Sequence, residues 1–232
     1  MELLLLSSST IYGTGYLDHA MGAIREWLGP RKRLAFVPFA LADQETYIAQ
    51  VRACLEPEGL EVVGVPRAGR AVLEEAEAVF VGGGNTFRLL RTLQDEDLLD
   101  PLRRGARAGK PYLGSSAGTN IAAPTIRTTN DMPIVEPKGL QALGLLPFQI
   151  NPHFQDPDPT SRHMGETRAE RLLQYLEENS RPVVGLREGA WLRLSGEHLA
   201  LGGTGGGRLF ARGHAPEEIR PGASLDRLLA SA

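Results

Sequence analysis

Short apolar runs alternate with segments of helical periodicity through the first 120 residues, and this alternation constrains the fold more than any other feature. Residues 2–8, 33–39, 60–65, 78–81 and 110–113 are apolar runs of strand length. Runs without a polar side are what strands become when both faces of a sheet are covered. Residues 16–28, 43–55, 72–77, 87–93 and 98–108 carry helical spacing between them, with Asp43 in the position of an N-cap. The expectation is an α/β fold, a mostly parallel sheet with helices on both faces. Ligands of such sheets gather outside the carboxyl ends of the strands. Two glycine-rich turns fall at such ends: Gly82-Gly83-Gly84-Asn85-Thr86 after the fourth run, and Gly114-Ser115-Ser116-Ala117-Gly118 after the fifth.

The second turn has the pattern of a nucleophile elbow, G-x-S-x-G, with Ser116 as its central serine. A serine at a sharp strand-to-helix turn is held in strained backbone with its hydroxyl exposed. Glycines two before and two after let neighbouring backbone come close. The helix that follows turns free N–H groups and its positive end toward a developing oxyanion. Against this stands a plain Gly/Ser connector, which the five residues alone do not exclude.

The second half is less regular. Residues 121–134 are polar and turn-rich, a loop or hairpin. Residues 148–150 form a short strand leading into Asn151-Pro152-His153-Phe154. Residues 155–160 are proline-rich and fit neither a helix interior nor a central strand. A helix is expected over 165–178 and short strands over 183–186, 191–194, 198–201 and 208–211. A flexible GGTGGG turn spans 202–207, and a last short helix covers 225–229. With no internal repeat and no linker, 1–232 reads as a single α/β hydrolytic domain. The net charge of −3 and scattered basic residues argue against nucleic acid. One cysteine, Cys54, allows no internal disulfide and reads as a buried structural thiol. The first ten residues lack the basic flank of a signal sequence, and no later run is long enough to span a bilayer. A cytoplasmic protein is expected.

A serine nucleophile needs a base, a group to orient that base, and donors for the oxyanion. Of the five histidines, His19 lies in an expected helix, His163 in a polar segment, His198 beside a strand and His214 near the C-terminus. His153 is best placed, at a strand end after a rigid Asn-Pro pair, although a structural histidine there would look the same. For the orienter, Glu188 ends an apolar strand and precedes a glycine turn. Asp131 lies in a polar loop, where a turn-forming aspartate is the default. Glu188 is favoured, with Asp131 open. Oxyanion donors are expected from the N–H of Ala117 and from Gly83 or Gly84. A phosphate-binding role for the Gly82 turn lacks the lysine of a P-loop.

Taken together, GGGNTFRLL, YLGSSAGTN, TIRTTNDMPIV, INPHF and GLREGAWL resemble the peptidase E family of aspartyl dipeptidases, over residues 78–194 and in the family's order. The resemblance implies a class I glutamine amidotransferase-like fold with serine in place of cysteine, and hydrolysis of dipeptides with an N-terminal aspartate. It implies Ser116 as nucleophile, His153 as base, Asp131 or Glu188 as the acid, and Gly84 in the oxyanion hole. One position departs: Ser115 stands where a bulkier residue, often tryptophan, is usual, which touches the shape of the adjoining pocket.

A pocket for an aspartyl side chain needs a donor fork, and Arg127 and Arg168 are the candidates, each also readable as a surface arginine. Asn85 and Thr86 would add hydrogen bonds, Asp131 is a candidate acceptor for the α-amino group, and residues 155–160 are a candidate lid. No metal or cofactor is expected, since neither H-E-x-x-H nor a Cys/His cluster is present. The expected partner is a small peptide substrate, and a homodimer is implied by the resemblance alone. Two rival functions remain at this point: a cyanophycinase-like or isoaspartyl peptidase acting on β-aspartyl linkages, and a non-catalytic protein binding an acidic small ligand.

Overall fold

The computed structural model describes residues 1–67, 69–158, 160, 162 and 164–230. His163 and part of the 155–160 segment therefore lie outside the described residues. Five parallel strands are laid down first: β1 (Glu2–Leu6), β2 (Arg33–Val37), β3 (Glu61–Gly64), β4 (Ala78–Val81) and β5 (Tyr112–Ser115). Between them run α1 (Met21–Leu28), α2 (Gln44–Leu55), α3 (Arg70–Glu75), α4 (Thr86–Asp95) and α5 (Leu99–Arg107), and α6 (Ala117–Asn120) follows the elbow. The expected first helix is shorter than its periodicity suggests, because residues 18–20 form a 3-10 turn ahead of α1. Asp43 caps α2 as expected, its carboxylate accepting the N–H of Thr46 at 3.0 Å.

Leu4 and Leu6 of β1 pack with α1 and α2 on one face, while Leu3 and Leu5 pack with α4 and α5 on the other. Alternate residues of a strand point to opposite faces, so a strand with helices on both sides must be apolar at every position. This is why LLLL in β1 is buried throughout.

The C-terminal strands divide between two sheets, which strand length alone did not reveal. β8 (Ala190–Ser195) and β9 (His198–Gly203) form a hairpin that joins the main sheet antiparallel to β1, giving the order β3-β2-β4-β5-β1-β8-β9. β6 (Gln149–Asn151), β7 (Val183–Leu186), β10 (Gly207–Phe210) and β11 (Glu217–Ile219) make a second sheet, ordered β11-β10-β7-β6. One face of it, with Ile150, Val184, Leu186 and Leu209, joins the main core. On the other face, Val183, Phe154 and Phe210 meet Leu172 and Leu176 of α7 (Arg168–Glu178). A capping box between Thr167 and Glu170 starts α7, three residues later than the periodicity suggested.

Candidate active site

The two glycines of the elbow are required by contact. A Cβ on Gly114 would lie 2.6 Å from the carbonyl oxygen of Gly118, and one on Gly118 only 2.0 Å from that of Val81. The helix α6 is thus pressed against the ends of β4 and β5. Ser116 sits at the bend with φ 51° and ψ −107°, a conformation that costs about 1–3 kcal/mol unless its surroundings hold it. Here they do. Ser116 N–H donates to Leu6 O at 3.1 Å, and Thr119 Oγ1 ties the next turn to Leu6 O at 2.6 Å.

Ser116 belongs to the seven-stranded sheet, and its partners come from the four-stranded one. His153 follows β6 and Glu188 follows β7. His153 Nε2 is 2.9 Å from Ser116 Oγ, and His153 Nδ1 is 2.9 Å from Glu188 Oε1. His153 is also left-handed, φ 54°. Its N–H donates to Ser7 Oγ at 2.9 Å, and its carbonyl accepts the guanidinium of Arg168. The GGTGGG turn wraps the acid: a Cβ on Gly205 would lie 2.1 Å from Glu188 O, so only glycine lets the two turns touch.

Asp131 is placed elsewhere. Its Oδ2 accepts the Thr86 N–H at 2.7 Å and the Thr86 hydroxyl at 2.5 Å, at the N-terminus of α4, where a carboxylate is electrostatically favoured. The His153 ring therefore has Glu188, not Asp131, as its acidic neighbour. Asp131 and Thr86 line one wall of a cleft of about 240 Å³ beside Ser116, together with Asn120, Thr129, His153 and Arg168. Arg168 lies in the first turn of α7, a poor place for a cation. Burial lowers its pKa from the usual arginine value, reinforced by Arg171 and opposed by Glu188.

Asn85 does not line this cleft. Its Oδ1 accepts the N–H of Arg88 as the α4 N-cap, and its Nδ2 donates to Met132 O at 2.9 Å. Arg127 is exposed and does not line the cleft. Ser115, fully buried, lines neither this cleft nor the neighbouring one, so it does not shape the pocket by contact.

In the turn after β4, Gly83 N–H is already taken, donating to Tyr47 Oη at 2.8 Å. Gly84, at φ 130°, has no hydrogen-bond partner for its N–H among the described residues. Gly83 packs against the elbow: a Cβ on it would lie 3.0 Å from Ser116 Cβ. Tyr47 reaches the turn from α2, a residue the sequence did not single out. Burial raises its pKa, which keeps the phenol neutral over the ordinary pH range. A second cleft of about 450 Å³ opens on this side of Ser116, between Tyr16, Tyr47, Gln50, Leu41 and residues 8–10. Among the described residues no three His, Cys, Asp or Glu side chains converge as metal ligands.

The model of peptidase family S51 matches residues 3–202. The chain belongs to peptidase family S51. Among its relatives in that family, Peptidase E of Streptomyces coelicolor is 57% identical over 231 residues, covering 99% of this chain and 95% of that one. A probable alpha-aspartyl dipeptidase of Drosophila melanogaster is 49% identical, covering 98% of this chain and 97% of that one. The crystal structure of a peptidase from an acI-B1 actinobacterium shares the fold with a TM-score of 0.72 at 18% identity, over 97% of this chain and 96% of that one. The S51 match spans every element that carries Ser116, His153 and Glu188. Among the described residues of this S51 chain no helix is long and apolar enough to cross a membrane.

Proposed function

We propose that this S51 chain is a serine dipeptidase that hydrolyses dipeptides beginning with aspartate. The observation that carries the reading is the unbroken line Glu188–His153–Ser116, with 2.9 Å at each step. With Nδ1–H donating to the Glu188 carboxylate, Nε2 is left as the acceptor for the serine proton. Ser116 Oγ attacks the aspartyl carbonyl carbon, and the proton moves to Nε2. The N–H groups of Ala117 and Gly84 receive the oxyanion. The C–N bond breaks as His153 returns the proton to the leaving amine. Water, deprotonated by the same nitrogen, then attacks the acyl ester, and Nε2 passes that proton to Ser116 Oγ as aspartate is released.

The polar cleft supports aspartate at the acyl position. Arg168 offers a donor fork for the side-chain carboxylate, and Asp131 offers an acceptor for the α-ammonium group. The Drosophila relative, named a probable alpha-aspartyl dipeptidase, supports the same substrate class.

The test is steady-state hydrolysis of Asp-Leu against Glu-Leu, Asn-Leu, Ala-Leu, β-Asp-Leu and Asp-Leu-Ala. Cleavage of Asp-Leu well above the rest is expected, with turnover falling on the order of 10⁴- to 10⁶-fold in Ser116→Ala. A loss below tenfold in that variant would overturn the serine mechanism. Preference for β-Asp-Leu would move the substrate to the isoaspartyl class.

A further inference from the structure

Asn120 lies one helical turn beyond Ser116, lines the same polar cleft and is buried to within 1% of its surface. Its Nδ2 donates to Ile150 O at 2.8 Å. That bond settles the orientation of the amide, because only its NH₂ end can meet a carbonyl. Oδ1 is left as a pure acceptor, buried and without a hydrogen-bond partner. Buried amide oxygens are ordinarily satisfied, so one that is not, in the wall of a ligand cleft, points to a donor brought by the ligand. The cleft holds a second available acceptor. Asp131 Oδ2 is used by Thr86, while Oδ1 has no partner among the described residues. Two acceptors in one cleft, one of them anionic, match a group with several donors and a positive charge.

We infer that Asn120 Oδ1, together with Asp131, receives the α-ammonium group of the substrate's first residue. The inference rests on the dipeptidase reading and deepens it. It makes the cleft a site for free N-termini: an acylated amine brings a carbonyl and a single donor to a wall that offers acceptors. Asn120 would then be a binding residue on the same short helix as the nucleophile, fixing the distance between the substrate's amine and the carbonyl that Ser116 attacks.

The experiment measures how well L-aspartate and succinate protect Ser116 from labelling by diisopropyl fluorophosphate, a neutral reagent without an amine. The two ligands share both carboxylates and differ in the ammonium group. In the unaltered protein, aspartate is expected to protect at concentrations at least tenfold below succinate. In Asn120→Ala that advantage should shrink to threefold or less while Ser116 is still labelled. An advantage that survives in Asn120→Ala overturns the inference, as does equal protection by both ligands in the unaltered protein. Should Asn120→Ala fail to fold or label, N-acetyl-L-aspartate decides in the unaltered protein: it must protect no better than succinate, and protection equal to that of aspartate overturns the inference. Failure of the dipeptidase reading looks different: the unaltered protein is then not labelled at Ser116 and does not cleave Asp-Leu.

Discussion

Ser7 Oγ accepts the backbone N–H of His153 at 2.9 Å while donating to the carbonyl of Leu186 at the same distance. One fully buried hydroxyl at the end of β1 thus holds His153 and the strand that leads to Glu188. Ser7→Ala leaves the His153 N–H unsatisfied in a left-handed residue, a cost of about 1–3 kcal/mol. A fall in kcat of at least tenfold with KM changed less than threefold is expected for Asp-Leu. A parallel loss of kcat and thermal stability that Ser7→Thr fails to rescue would argue for packing alone.

Glu188 and Asp131 should fail in different ways. Glu188→Ala removes the partner of His153 Nδ1, and a drop in kcat on the order of 10³- to 10⁴-fold is expected. Asp131→Asn keeps a polar side chain beside Thr86 but removes a charge from the cleft. Its main effect should be a rise in KM of tenfold or more. Michaelis constants for the two variants, measured side by side, separate the roles; a kcat collapse in Asp131→Asn with Glu188→Ala little affected would reverse them.

The parallel half of the fold and the elbow were legible because their signals are local. A strand covered on both faces is apolar throughout, as β1 is, and Gly114 and Gly118 leave a spacing that few other structures need. The partition of the later strands was not local. Val184 and Leu192 sit in similar four- to six-residue strands, yet one joins the small sheet and the other pairs with Leu5. β11, Glu-Glu-Ile at a sheet edge, has no apolar rhythm at all. The place of Glu188 at a strand end is a local signal, and the structure brings it to His153. Asn120 and Tyr47 carry no such signal, because their partners, Ile150 and Gly83, lie 30 and 36 residues away in sequence.

Gly118→Ala should be among the most damaging single methyl additions to this chain. The new Cβ would meet the Val81 carbonyl at 2.0 Å, backbone against backbone, with no flexible side chain to give way. Destabilisation of about 1–3 kcal/mol or more is expected, with the melting temperature down by several degrees. Thermal melts of Gly118→Ala beside Gly139→Ala, where the same atom meets nothing within 4 Å, test this directly.

Acid should loosen the small sheet. The paired hydrogen bonds from Arg187, aided by the charges of Arg187, Arg208 and Arg220 and opposed by slight burial, hold the Glu218 carboxyl below its ordinary value. A lowered carboxylate favours the folded state above the ordinary carboxylate range, and that contribution is lost as pH falls through the folded value. Glu218 is about half exposed, so the effect is modest. Melting temperature should decline from pH 5 to pH 3, and the decline should be smaller in Glu218→Gln. An identical pH profile in the variant would remove Glu218 from the account.

The three residues of the proposed triad straddle a seam. Ser116 is fixed to the large sheet, and His153 and Glu188 are fixed to the small one. The hydrogen bond between Ser116 and His153 is therefore a ruler laid across the join, and a slip of about 1 Å between the sheets takes it out of hydrogen-bond range. Each sheet can keep its own ladder while the ruler is broken. Catalysis then reports the docking of two layers rather than the integrity of either. In rising urea, turnover should fade while the circular dichroism of the backbone is still that of the native protein.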